Sequence, residues 1–180
     1  MRIFLLVILF FSVFFNQEIK VISYNIRYDN PQDIKDSWEK RKSYFIDYIN
    51  KENPDFIGLQ EVTYNQLTFI NDNLKDYKYL GVGRDAGKNK GEFSPIYYKK
   101  SLFDLIESDT FWLSSSPDSV SIGWDASMER ICTYGLFKFK DSNRKIWVFN
   151  THFDHIGKIS RYNSSKLIIE KISQLTSNED

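Results

Sequence analysis

Two short apolar runs, each reaching a polar group at its end and each followed by a helical pattern, set the frame of this chain. Ile19-Lys20-Val21-Ile22-Ser23-Tyr24-Asn25 and Phe56-Ile57-Gly58-Leu59-Gln60-Glu61-Val62 have strand length, and the break Asn53-Pro54-Asp55 precedes the second. Between them, Asp36 with Glu39 predicts a helix start, and Trp38, Phe45, Tyr48 and Ile49 predict its apolar stripe, ending near Asn50. After the second run, Thr63 with Gln66 offers another capping box, followed by Leu67, Ile70 and Leu74 on one face.

The remaining pattern is mostly strand: Tyr77–Val82, Phe93–Tyr98, Leu102–Ser108, Ile131–Phe139 and Lys145–Thr151. A long irregular stretch from Trp112 to Glu129 interrupts it, and stretches of that length usually carry function or move. A last helix is predicted from about Lys158 to Thr176, with Ile159, Tyr162, Ile169, Ile172 and Leu175 as its buried face. Strand, helix, strand, helix and then mostly strands predict a layered α+β domain with mixed sheets. With 180 residues and 42% hydrophobic residues, one packed domain is expected, with no second unit.

Residues Met1 to Phe15, with Arg2 ahead of an apolar run, have the order and length of a signal peptide, here taken as residues 1–16 with the mature domain at 17–180. An uncleaved anchor is the alternative, since the small residues favoured at a cleavage site are lacking. Either way export is expected, to a periplasmic or extracellular space. Cys132 is the single cysteine, so no intrachain disulfide forms, and it reads as a small core residue. Lys+Arg and Asp+Glu each number 24, a balance that argues against broad, sequence-independent binding to duplex DNA. A small phosphorylated substrate held by a metal and one or two cations is not excluded.

Asn25, Glu61, Glu92 and His152 sit at or next to strand ends, where ligand sites of α/β sheets gather. A carboxylate closing a buried strand, as Glu61 does, needs a counter-charge, either a Lys or Arg or a bound cation. His152 reads as a general acid/base, an electrophile toward phosphate, or a core histidine. His152, Asp154 and His155 make a His-x-Asp-His pattern compatible with zinc or manganese, but its strand geometry does not assure a tetrahedral site. Oxygen-ligated Mg²⁺ or Mn²⁺ is preferred.

The segments Ser23-Tyr24-Asn25-Ile26-Arg27, Ile57-Gly58-Leu59-Gln60-Glu61-Val62, Gly91-Glu92-Phe93-Ser94-Pro95-Ile96-Tyr97-Tyr98 and Asn150-Thr151-His152-Phe153-Asp154-His155, in this order, resemble the endonuclease/exonuclease/phosphatase superfamily. The likeness runs from about Ile19 to the C-terminus, and the loop containing Gly123-Trp124-Asp125-Ala126 resembles a bacterial secreted branch near the deadenylase-like members. The resemblance implies a four-layer α/β/β/α sandwich of the deoxyribonuclease type and metal-dependent hydrolysis of phosphoesters. The substrate would be a nucleic acid, nucleotide, phospholipid headgroup or sugar phosphate, acted on by a monomer without an obligate protein partner.

Carried over by residue, the resemblance implies that Glu61 and Asn25 hold Mg²⁺ or Mn²⁺, and that His152 contacts the scissile phosphate or protonates the leaving oxygen. Glu92 would be its partner and raise its basicity, Asn150 would be a hydrogen-bonding group of the site, and Arg130 and Asp154 would lie at the substrate phosphate. Family members take a base from a Gly-Asp-x-Asn segment and further contacts from a Ser-Asp-His segment, and this sequence contains neither. The expectation is therefore an N-terminal part of such a domain, lacking its last strands and inactive alone; a non-catalytic binding protein on the same scaffold is the alternative.

Overall fold

The structure is a computed structural model that describes residues 18–177. The expected leader lies outside the described residues. Among them, no helix is long and apolar enough to cross a membrane.

The first half folds as β1 (Val21–Asn25), α1 (Trp38–Glu52), β2 (Phe56–Gln60), α2 (Tyr64–Asn73), β3 (Tyr77–Leu80) and β4 (Ile96–Lys99). β1 runs parallel to β2, with Val21 opposite Phe56 and Asn25 opposite Gln60; β4 is antiparallel to both β2 and β3, giving the order β1-β2-β4-β3. The second half adds β5 (Phe103–Trp112), β6 (Ile131–Phe139), β7 (Lys145–Thr151) and α3 (Lys158–Thr176), the strands forming an antiparallel β5-β6-β7 sheet.

Strand periodicity sorts the side chains into layers. Along β2, Ile57 and Leu59 face Trp38, Phe45 and Ile49 of α1 and Leu67 and Ile70 of α2, while Phe56 faces the other sheet. There Phe56 meets Phe103 and Phe137 at ring-centroid distances of 4.4 and 4.9 Å. Fully burying a ring of this kind contributes about 1.5–3 kcal/mol, so this inter-sheet cluster is a main tie between the sheets. On the far side, Phe111, Cys132 and Tyr134 pack with Trp147, Phe149, Leu167, Ile168 and Leu175 under α3. Helices, sheet, sheet and helix thus make the α/β/β/α sandwich. Cys132 is in this core, where burial pushes its thiol up to about 12.

Several boundaries differ from the sequence reading. The N-cap of α1 is Ser37, not Asp36, and the helix runs on to Glu52. At α2 the capping box is present, with Gln66 Oε1 accepting the Thr63 N–H at 3.0 Å. β3 stops at Leu80, before Gly81 at φ 123°, and Phe93 forms only isolated bridges with Val62 and Gly83 ahead of β4. β5 continues to Trp112 past a bulge between Leu105 and Glu107 that leaves Ile106 exposed. The predicted face of α3 is corrected in part: Leu175 packs on the sheet as expected, but Ile159, Tyr162 and Ile169 are exposed, and the helix instead buries Ser160 and Ser164 and packs Leu167 and Ile168. Small serines let the first turns approach closely, which an apolar count along the helix does not register.

Asn150 ties the sheets together by hydrogen bonds. From β7 its Nδ2 donates to Leu59 O at 2.7 Å and Pro95 O at 2.9 Å, and its Oδ1 accepts from Gln60 Nε2 at 2.8 Å. Gly58 makes room for it, since a Cβ there would lie 2.9 Å from Asn150 Oδ1. With three hydrogen bonds holding it, Asn150 cannot yield. Gly58→Ala is expected to destabilise by about 1–3 kcal/mol, read as a lower urea midpoint. The penalty should shrink in an Asn150→Ala background, and an additive double-mutant cycle would contradict the contact.

Candidate active site

At one end of the sandwich the segments following β1, β2 and β7 meet the residues entering β4 and β6. Tyr28, Glu61, Glu92, Met128, Arg130, His152 and His155 line a cleft of about 370 Å³.

Glu61 follows the last residue of β2 at φ 59°, a left-handed conformation that a non-glycine residue adopts at a cost of roughly 1–3 kcal/mol. Its carboxylate accepts from Asn25 Nδ2 at 2.7 Å and from the Tyr28 N–H at 3.2 Å. Asn25 Oδ1 in turn accepts the Arg27 N–H at 2.9 Å. Among the described residues Glu61 has no Lys or Arg within ion-pair distance, so the counter-charge a strand-end carboxylate calls for does not come from a side chain. No group of three or more His, Cys, Asp or Glu side chains suited to a metal ion occurs among the described residues. The Glu61 carboxylate fits Mg²⁺, which commonly keeps waters and takes one or two carboxylates plus substrate oxygens, better than it fits zinc, and Asn25, with its NH₂ toward Glu61 and its Oδ1 toward the Arg27 N–H, orients that carboxylate.

Glu92 is held by Arg84 rather than by His152, which corrects the expected pairing. Arg84 Nη1 donates to Glu92 Oε2 at 2.8 Å, and Trp112 Nε1 fixes the Arg84 carbonyl at 2.8 Å. Burial raises the Glu92 carboxyl, Arg84 opposes that, and Glu61 adds to it. His152, expected to gain basicity, instead lies below its ordinary value through burial and the guanidinium of Arg130.

Asp154 is turned away from the cleft and buried, which corrects its placement at a substrate phosphate. Its Oδ2 accepts from Ser127 N, Ser127 Oγ and Arg130 Nε at 3.1, 2.8 and 3.2 Å; its Oδ1 accepts from the N–H groups of Ile156 and Gly157 at 2.9 and 2.7 Å. Burial pushes the Asp154 carboxyl upward, but the donors of Gly157, Ile156 and Ser127 outweigh it and hold the group well below the carboxylate range. Arg130, itself buried, reaches from that anchor to both imidazoles: Nη1 lies 3.4 Å from His152 Nδ1 and Nη2 lies 3.1 Å from His155 Nδ1. Burial and the nearby Arg84 lower the Arg130 guanidinium from its ordinary value.

The structure therefore brings Glu61, Glu92, Arg130 and His152 to one cleft with Asn25 beside Glu61, while Asn150 and Asp154 serve beneath it. Sequence reasoning missed Arg84, Tyr28, Met128 and Ser127. Arg84 stands in a loop eight positions before its partner Glu92, and no periodic signal marks such a pair.

Residues 22–119 match the model of the Endonuclease/Exonuclease/phosphatase family, and the chain belongs to that family. Among solved structures it is similar to an endonuclease/exonuclease/phosphatase from Bacteroides vulgatus, at 42% identity and TM-score 0.86, covering 88% of this chain and 61% of that one. It is similar also to a mannosyl-6-phosphatase from Bacteroides thetaiotaomicron, at 41% identity and TM-score 0.88, covering 91% of this chain and 62% of that one. A probable RNA exonuclease of Saccharomyces cerevisiae is 28% identical over 148 residues, covering 77% of this chain and 28% of that protein. The chain thus spans less than two thirds of the length of each of these relatives. The family comprises hydrolases of phosphoester bonds, generally dependent on a divalent metal.

Proposed function

We propose that this protein is an exported, divalent-metal-dependent hydrolase of small phosphomonoesters, with sugar phosphates as the substrate class. The observation that carries the reading is the convergence of Glu61, Glu92, Arg130 and His152 from four separated segments on one cleft. The size of that cleft, the balanced charge and the 41% identity to a mannosyl-6-phosphatase favour a compact phosphate over duplex nucleic acid. Export rests on the leader pattern Met1 to Phe15, and a mature N-terminus near Asn16–Gln17 is its expected mark.

A cation held by Glu61, whose carboxylate Asn25 orients, would offset charge on the phosphoryl oxygens and polarise an attacking water. Arg130 adds a fixed positive field from below, and His152, neutral near pH 7, presents an N–H to a phosphoryl oxygen. A base for water is the weak point. Asp154 is engaged by five donors, the Nδ1 atoms of both histidines face Arg130, and Glu92 is tied to Arg84. Gly-Asp-x-Asn and Ser-Asp-His do not occur in the sequence. On this reading the 180 residues alone turn over near background, about 10²–10⁴-fold below a protein that also carries such segments.

The test joins this chain to the remaining length of the mannosyl-6-phosphatase relative and assays chain and chimera on mannose 6-phosphate and a generic phosphodiester with Mg²⁺ or Mn²⁺. A chimera that releases phosphate and loses that activity in His152→Ala supports the reading. Comparable activity in the chain alone contradicts the missing base. An inert chimera whose cleft still binds phosphate favours the second reading, a non-catalytic binding protein.

A further inference from the structure

We propose that His155 is a second phosphate-contacting residue, paired with His152 by the single guanidinium of Arg130; this rests on the reading of the cleft as a phosphoester site. A guanidinium only donates. Arg130 Nη1 and Nη2 each address the Nδ1 of a different imidazole, at 3.4 and 3.1 Å, so both Nδ1 atoms are acceptors. A neutral imidazole that accepts at Nδ1 carries its proton at Nε2. Both rings line the same cleft, and among the described residues neither Nε2 has a hydrogen-bond partner. Two unengaged N–H donors then belong to rings that line one cleft, and to these we assign two oxygens of one phosphate.

The anchoring explains why the pair is rigid. Arg130 cannot swing, because its Nε is bound to buried Asp154, which lies between the two histidines in sequence and is itself pinned by Ser127, Ile156 and Gly157. Arg161 Nη1 also donates to the Asp154 carbonyl at 2.9 Å, bracing the turn that carries His155. Arg130 is accordingly a positioning residue that sets the tautomer of both rings.

The chain has two histidines, so a long-range proton–nitrogen correlation spectrum of the nitrogen-15-labelled chain shows two ring systems, and His155→Gln assigns them. Near neutral pH both rings are expected to show an unprotonated Nδ1 and a protonated Nε2 without tautomer averaging. Titration with inorganic phosphate in the presence of Mg²⁺ should move both Nε2–H signals. His155→Gln should weaken phosphate binding about 10-fold or more, the loss of one hydrogen bond to a charged oxygen. An averaged or Nδ1-protonated His155, or a phosphate response confined to His152, overturns the proposal and leaves the phosphoester reading standing. Silence of both rings toward phosphate overturns both.

Discussion

Replacing Asp154 by asparagine is expected to lower the stability of the folded chain by about 3–5 kcal/mol, the usual cost of removing one partner of a buried ion pair. Asparagine has the right volume, but an NH₂ then stands where Oδ2 accepted from Ser127 and Arg130, so donors face donors and the Arg130 charge is left buried without compensation. For a domain of this size the melting temperature should fall by on the order of 10 °C. The pH dependence has a defined sign. The folded Asp154 carboxyl lies below its ordinary value of 3.8, so its contribution is fully present above about pH 4 and is lost as pH falls toward the folded value. The wild-type urea midpoint should therefore decline in acid through a component that Asp154→Asn lacks. A change under about 1 kcal/mol near pH 7 would contradict the anchoring role given to this residue.

The elements legible in the sequence are those whose signals are local. β1, β2, β6 and β7 were set by short apolar runs, and α2 by Thr63 and Gln66, which pair as expected. Glu61, a carboxylate closing a buried strand, marked itself as a residue in need of a counter-charge. The parts that could not be read depend on contacts between distant segments. The resemblance makes Asn150 a hydrogen-bonding group of the site, and only the approach of β7 to Gly58 shows that its bonds tie the two sheets. α3 carries apolar residues on several sides, so which side meets the sheet is decided by the fit of Ser160 and Ser164. Asp154 and His155 are neighbours in the chain, yet one points into the core and the other lines the cleft, a division made by the turn after β7 rather than by residue type.

Glu61→Gln is expected to abolish most of the divalent-cation affinity of the cleft while leaving the fold intact. The amide has nearly the same shape, and its single oxygen keeps the shorter bond from Asn25 Nδ2 while the 3.2 Å bond from the Tyr28 N–H, made to the other carboxylate oxygen, is given up, a local cost at an exposed turn after β2. What is lost is the one formal negative charge placed beside Asn25 without a cationic side chain to balance it. Losing an outer partner of a metal site typically costs about 10–100-fold in affinity, and losing the charged ligand should cost at least as much. The measurement is calorimetric titration of Mn²⁺, and separately Mg²⁺, into the 180-residue chain and its Glu61→Gln variant at matched thermal stability. A single saturable site in the wild type, weakened at least 10-fold in the variant, is the predicted result; equal affinity in the two proteins would place the cation elsewhere and contradict the assignment of this cleft.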